Sequence, residues 1–163
     1  MRLKAKVFVK DGYFEAANEI YLDNSKGVEQ HLLSLWRDWM VMCVKAYEQT
    51  KKASWAKSAI AVFPYALRYK CKKTRLLLGP IINICKELAN DETIVKTLND
   101  SLESIPYKNL ILWLPQLMKL TESNEKISPV IAKILIKLNI LFPQIIFYAF
   151  KPLFRGIDLK TLK

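Results

Sequence analysis

The side chains that could do chemistry are few and widely spaced. His31 is the single histidine, beside Leu32 and two residues after Glu29. An imidazole acts as a base only with a nucleophile in hydrogen-bond reach and an acid to orient it. Neither partner can be assigned around His31, so a surface or capping role at a helix start is expected. The carboxylates are scattered, with Asp91 and Glu92 at a helix start and Glu122 and Glu125 in a polar turn. Both settings suit the helix dipole and solubility, and neither resembles a dedicated acid–base pair. Cys43, Cys71 and Cys85 are odd in number, far apart and without metal-ligand spacing. Buried reduced thiols are expected, as in the cytosol or nucleus. The four glycines stand alone at positions 12, 27, 79 and 156, which leaves no glycine-rich phosphate loop. Kinase catalytic-loop and metal-binding triplets are also missing, as are clusters of histidine, cysteine or carboxylate that could ligate a metal. A non-enzymatic role without cofactor or metal is the expectation.

Charge offers another kind of chemistry. The chain has 163 residues and a net charge of +11. Such a balance points to nucleic acid or an anionic surface as partner. Of the 26 basic residues, however, five are arginine (Arg2, Arg37, Arg68, Arg75 and Arg155). Base edges and bidentate phosphate contacts favour the planar arginine fork, so lysines solvating outer helix faces are the favoured reading. The densest basic group is Lys70, Lys72, Lys73 and Arg75, beside Tyr69. It is the best candidate for contact with an acidic partner, with affinity that falls as salt rises. A solvated loop between two helices is its plainer explanation.

The elements that would position these groups are helices. From Leu32 the apolar positions run Leu32, Leu35, Trp36, Trp39, Met40, Cys43, Val44 and Tyr47, the three-four alternation of a half-buried helix. Ser34, Arg37, Asp38, Lys45 and Glu48 fall on its other side. That pattern predicts a helix from Val28 to Thr50. A short pair precedes it, Arg2 to Val9 and Phe14 to Leu22, turned at Asp11-Gly12. Ser54 to Lys70 follows, burying Trp55, Ala59, Val62, Phe63 and Ala66, with a kink expected at Pro64. Thr74 to Ala89 is the next helix, interrupted by Gly79-Pro80. Asp91 is placed to cap a shorter one through the amide of Thr93 or Ile94.

Three late helices are the clearest. Tyr107, Leu110, Ile111, Leu114, Leu117 and Met118 form one stripe, opened by Pro106 at the first turn. Trp113 lies off that stripe and is expected to face a neighbouring helix that is missing from this chain. After the turn TESNEK, Ser128 is expected to cap and Pro129 to start a helix. Its stripe is Ile131, Ile134, Leu135, Leu138, Leu141 and Phe142, with Lys126, Lys133 and Lys137 on the wet side. Pro143 ends it and opens a last helix with Ile146, Ala149, Phe150, Leu153 and Phe154 inward. The longest uncharged run, Leu138 to Phe150, is too short to span a bilayer and is broken by Pro143. The first residues lack the apolar core of a signal peptide. Helices of this length joined by short turns make an all-α bundle or an α-solenoid of degenerate helix hairpins. No linker divides residues 1–163, which read as one helical-repeat segment.

Two motifs carry a family resemblance. LILWLPQLM (Leu110 to Met118) is similar to the proline-containing tryptophan helix in the FAT solenoid of the phosphatidylinositol-3-kinase-related family, in its transcription-cofactor branch. The corner Phe142-Pro143-Gln144 is similar to that of the closing repeat. Earlier stretches resemble preceding repeats: EAANEIY (Glu15 to Tyr21), LWRDWM (Leu35 to Met40) and SAIAVFPYALRYKCKK (Ser58 to Lys73). The corner also occurs in other branches, including the DNA-dependent protein kinase. The resemblance implies a FAT-type helical solenoid from a much larger polypeptide. In the transcription-cofactor branch that polypeptide carries a kinase-like domain without catalytic residues. It serves in the nucleus as a scaffold of SAGA-type histone acetyltransferase complexes, and its partners are complex subunits and transcription activators. The alternatives are the FAT segment of an active kinase of the family and an autonomous basic helical-repeat protein that binds nucleic acid.

Overall fold

The computed structural model describes residues 2–25, 29–68, 78–121 and 125–154. Among them every regular element is helical and no strand occurs. The chain is all-α. It divides into two compact units, Met1–Ile105 and Pro106–Lys163.

The first unit begins with α1 (Arg2–Asp11) and α2 (Phe14–Asn24), packed on each other across the Asp11-Gly12 turn. Gly12 has φ +85, a left-handed conformation that costs glycine least. Next come α3 (Glu29–Thr50) and α4 (Ala53–Arg68), which make the most extensive helix pair of the unit. Lys51 ends α3 with φ 53 and returns its amide to the Tyr47 carbonyl at 2.7 Å. Such a left-handed residue is a common way to satisfy a helix's last carbonyls. Pro64 lies inside α4, which continues to Arg68.

Then follow α5 (Leu78–Glu87) and α6 (Glu92–Ser104), the latter laid along α4. Gly79 and Pro80 are both helical residues of α5. The expected helix residues 74–77 lie outside the described residues. Asp91 caps α6 as its position predicts, accepting from the Thr93 amide at 2.9 Å and the Thr93 hydroxyl at 2.8 Å.

The core of this unit is continuous from α2 to α6. Tyr21, Met40, Met42, Ile60, Phe63, Ile81, Ile94 and Leu102 are all but excluded from solvent. Ser101 is the buried polar residue among them, and its hydroxyl donates to the Ile60 carbonyl at 3.0 Å. Burial without that bond would leave a polar group unpaired.

The second unit opens with α7 (Tyr107–Leu110), a 3-10 turn (Ile111–Trp113) and α8 (Leu114–Thr121). The single helix expected over this stretch is broken, and Pro115 supplies the reason. Its nitrogen cannot donate to the Ile111 carbonyl one turn back. The Leu114 amide donates to Ile111 in its place, a tighter i to i−3 bond. The two remaining helices are α9 (Ser128–Leu141) and α10 (Pro143–Phe154), with α9 packed on both α8 and α10.

Ser128 does not cap α9. Ile127 takes the N-cap position without a side-chain bond, and Ser128 is the first helical residue. Leu110, Leu114, Leu117, Leu120, Ile131, Ile134 and Leu138 form the unit's core. Leu141, expected on the inner stripe, is instead 52% exposed. It is the last residue of α9, where the chain turns into α10. The side chains of Phe150, Leu153 and Phe154 lie outside the described residues.

Candidate functional site

The basic group Lys70, Lys72, Lys73 and Arg75, with Tyr69, lies outside the described residues. His31 falls on the first turn of α3, and its side chain is likewise outside what is described. Cys71 and Glu122 are also outside. The groups that the structure does bring together are different ones.

Asp38 gathers three basic side chains. Its Oδ2 accepts from Arg2 Nε at 2.6 Å and lies 3.2 Å from Lys6 Nζ. Its Oδ1 accepts from the neighbouring Arg37 at 2.8 Å. Arg2 also donates to Ser34 Oγ at 2.6 Å. The face of α3 assigned to solvent on sequence grounds therefore receives α1. Burial pulls the Asp38 pKa upward, but the bonds from Arg37, Arg2 and Lys6 outweigh it and hold the carboxyl below its ordinary 3.8. Beside it is a cavity of about 230 Å³ lined by Lys6, Val9, Tyr21, Asp38, Val41 and Met42. Tyr21 is pushed up to about 12, chiefly by burial and then by the charge of Asp38.

A second polar link joins α3 to α5. Tyr47 Oη donates to Glu87 Oε2 at 2.9 Å, and Lys51 Nζ reaches the same oxygen at 3.1 Å. Lys51 also stands 5.0 Å from the centre of the Tyr47 ring. The bonds from Lys51 and Tyr47 lower the Glu87 pKa. Burial and the bond to Glu87 raise Tyr47 to about 12. Cys43 and Cys85 are free, buried thiols, each pushed up to about 12 by burial.

These hydroxyls and thiols are protonated at neutral pH, and the carboxylates are engaged in holding helices together. None is poised near neutrality as an acid–base group would be. Among the described residues no group of three or more His, Cys, Asp or Glu could hold a metal ion. No described helix is long and apolar enough to cross a membrane.

The tryptophans divide into two kinds. Trp36 stacks on Trp39 at 5.4 Å and on Tyr65 at 4.6 Å. Trp39 Nε1 donates to Asn18 Oδ1 at 2.8 Å, and Trp55 meets the Phe14 edge at 6.3 Å. Trp113 differs, because its Nε1–H is buried and has no hydrogen-bond partner. An unpaired buried donor is uncommon and costly.

The broadest functional candidate is a surface. In the second unit Ile136, Ile140, Leu141, Ile145, Phe147 and Tyr148 are all exposed. Reading α9 and α10 as one-sided stripes missed this surface. The available signal was the high apolar content of both helices, more than one inward stripe can hold, in SPVIAKILIKLNIL and PQIIFYAFKPLF. Compared with protein-family models, with curated proteins and with solved structures, the chain gives no match.

Proposed function

We propose that this chain is a non-catalytic helical scaffold segment, of the FAT type, from a transcription-cofactor-like subunit of a SAGA-type histone acetyltransferase complex in the nucleus. The two motifs of the resemblance are similar to those of the transformation/transcription-domain-associated protein. The observation that carries the reading is the order of LILWLPQLM and Phe142-Pro143-Gln144, the two most specific motifs of the resemblance. They fall on the 3-10 turn with α8 and on the corner between α9 and α10. Stacked helix hairpins suit such a role, since each hairpin buries one side on its neighbour and offers the other to a partner.

The large exposed apolar side chains of the second unit support a protein-binding role. Complex subunits and transcription activators are the partners this reading names. The experiment is purification of the tagged protein from nuclear extract, assayed for histone acetylation. Co-eluting acetyltransferase activity is the expected result, and a chain that elutes without it contradicts the reading. Co-eluting protein kinase activity from its own polypeptide would favour the active-kinase branch.

Nucleic-acid binding is the second reading, favoured by the net charge of +11. It requires a mobility shift whose affinity drops steeply between low and moderate salt.

A further inference from the structure

We infer that the outward side of α9 and α10 is a docking surface for an amphipathic helix of a partner protein, one whose apolar stripe is edged by aspartate and glutamate. On α9, Ile136 and Ile140 lie one turn apart on the side opposite the buried Ile131, Ile134 and Leu138, and are 62% and 72% exposed. Leu141 and Ile145 flank the corner into α10 and are exposed too. On α10, Phe147 and Tyr148 follow the buried Ile146 and are 61% and 67% exposed, their rings meeting edge to face at 5.7 Å. Aromatic and aliphatic side chains gathered on packed helices mark an interface more often than free surface.

Charge selects the occupant. Across α9 and α10 there are three lysines, Lys133, Lys137 and Lys151, and not one carboxylate. A second copy would bring the same cations to the contact, and like charges brought together cost affinity. A helix lying along these two helices would seat its apolar side chains between Ile140 and Phe147, in the helix-in-groove manner. Its acids would then stand beside Lys137 and Lys151. The inference rests on the scaffold reading only so far as the chain acts by binding proteins.

The test uses the full chain and three labelled peptides of equal length: a leucine-phenylalanine amphipathic helix with glutamate edges, the same helix with lysine edges, and a scrambled glutamate version. Fluorescence anisotropy should show the glutamate helix binding at least about tenfold tighter than the other two, and more weakly as salt rises. Ile140→Ser with Phe147→Ser should lose about tenfold or more, while Leu3→Ser with Val7→Ser, exposed on α1, should change nothing. Lys137→Glu with Lys151→Glu should shift the preference to the lysine-edged helix. Circular dichroism melts of each variant establish that it folds. Equal binding of all three peptides, or none, overturns the inference. So would concentration-dependent dimers, or capture by phosphatidylserine vesicles without peptide binding, if lost in the Ile140→Ser, Phe147→Ser variant. Glutamate-helix binding without acetyltransferase co-elution would keep this surface and remove the scaffold reading; the opposite pair of results would remove this surface alone.

Discussion

Arg2 reaches Asp38 across 36 residues of chain, its Nε 2.6 Å from Oδ2, and ties the first helix to the third. The carboxylate is 9% exposed, while Arg2 and Lys6 are 41% and 47% exposed. Solvent therefore screens part of the attraction. Asp38→Asn is expected to cost about 1–2 kcal/mol at neutral pH, in the range of hydrogen bonds to charged groups once screening is allowed for. Because the folded pKa lies below the ordinary 3.8, this contribution is present above that value and disappears as pH falls through the folded pKa. Urea melts of the two proteins should differ at pH 7 and converge toward pH 2. A gap that persists at pH 2 would show that the carboxylate's charge is not what matters.

Trp39 and Trp113 make a matched pair. The first donates to Asn18 and the second donates to nothing. Trp39→Phe should cost about 1 kcal/mol or more, from the lost bond and the lost ring area. Trp113→Phe also loses ring area, but it relieves a buried donor worth about 1–3 kcal/mol when unpaired, so it should be neutral or stabilising. Chemical denaturation followed by circular dichroism reads both. A larger loss at Trp113 than at Trp39 would mean that its indole N–H has a partner in solution.

The two described thiols titrate far from neutrality. Burial lifts Cys43 and Cys85 to about 12, whereas an unfolded thiol ionises near ~8.5. A pKa raised on folding gives stability that is whole below the unfolded value and is lost as pH climbs toward the folded one. Stability should therefore fall above about pH 8.5. In a Cys71→Ser background, iodoacetamide at pH 8 should leave both thiols unmodified until denaturant is added. Rapid labelling of the native protein would contradict their burial.

Leu138 and Ile140 sit two residues apart on α9 with opposite surroundings, 0% and 72% exposed. Leu138→Ala should cost about 2–5 kcal/mol by opening a cavity in the second unit. Ile140→Ala should stay within about 0.5 kcal/mol, as exposed substitutions do. Comparable losses at both positions would place Ile140 in contact with something already present in the isolated chain.

Much of the fold was legible from periodicity and end signals. Leu35, Trp39, Met40, Cys43, Val44 and Tyr47 are buried as their spacing implies, with Trp36 half-buried; Gly12 takes the left-handed turn, and Asp91 caps α6 through Thr93. These signals are local, and nothing distant competes with them. The break at Ile111–Trp113 was also written in the sequence, in Pro115, but an unbroken apolar stripe hid it. The Asp38 cluster was harder to see, because it depends on which helix covers the polar side of α3. Periodicity separates two sides of a helix without saying what faces each. The same limit concealed Ile136 and Ile140, which a one-sided reading assigned to neither face. Lys70, Lys72, Lys73 and Arg75 stay a reading of sequence alone.

The scaffold account turns most directly on the gene's own reading frame. Sequencing full-length transcripts across this segment should show the frame continuing upstream into further helical repeats. Downstream it should enter a kinase-like domain without the catalytic-loop and metal-binding acids. A start at Met1 with a stop after Lys163 in every transcript would contradict the account and return the chain to the class of small basic helical proteins. An intact set of kinase residues downstream would contradict the cofactor branch and make this the helical segment of an active kinase.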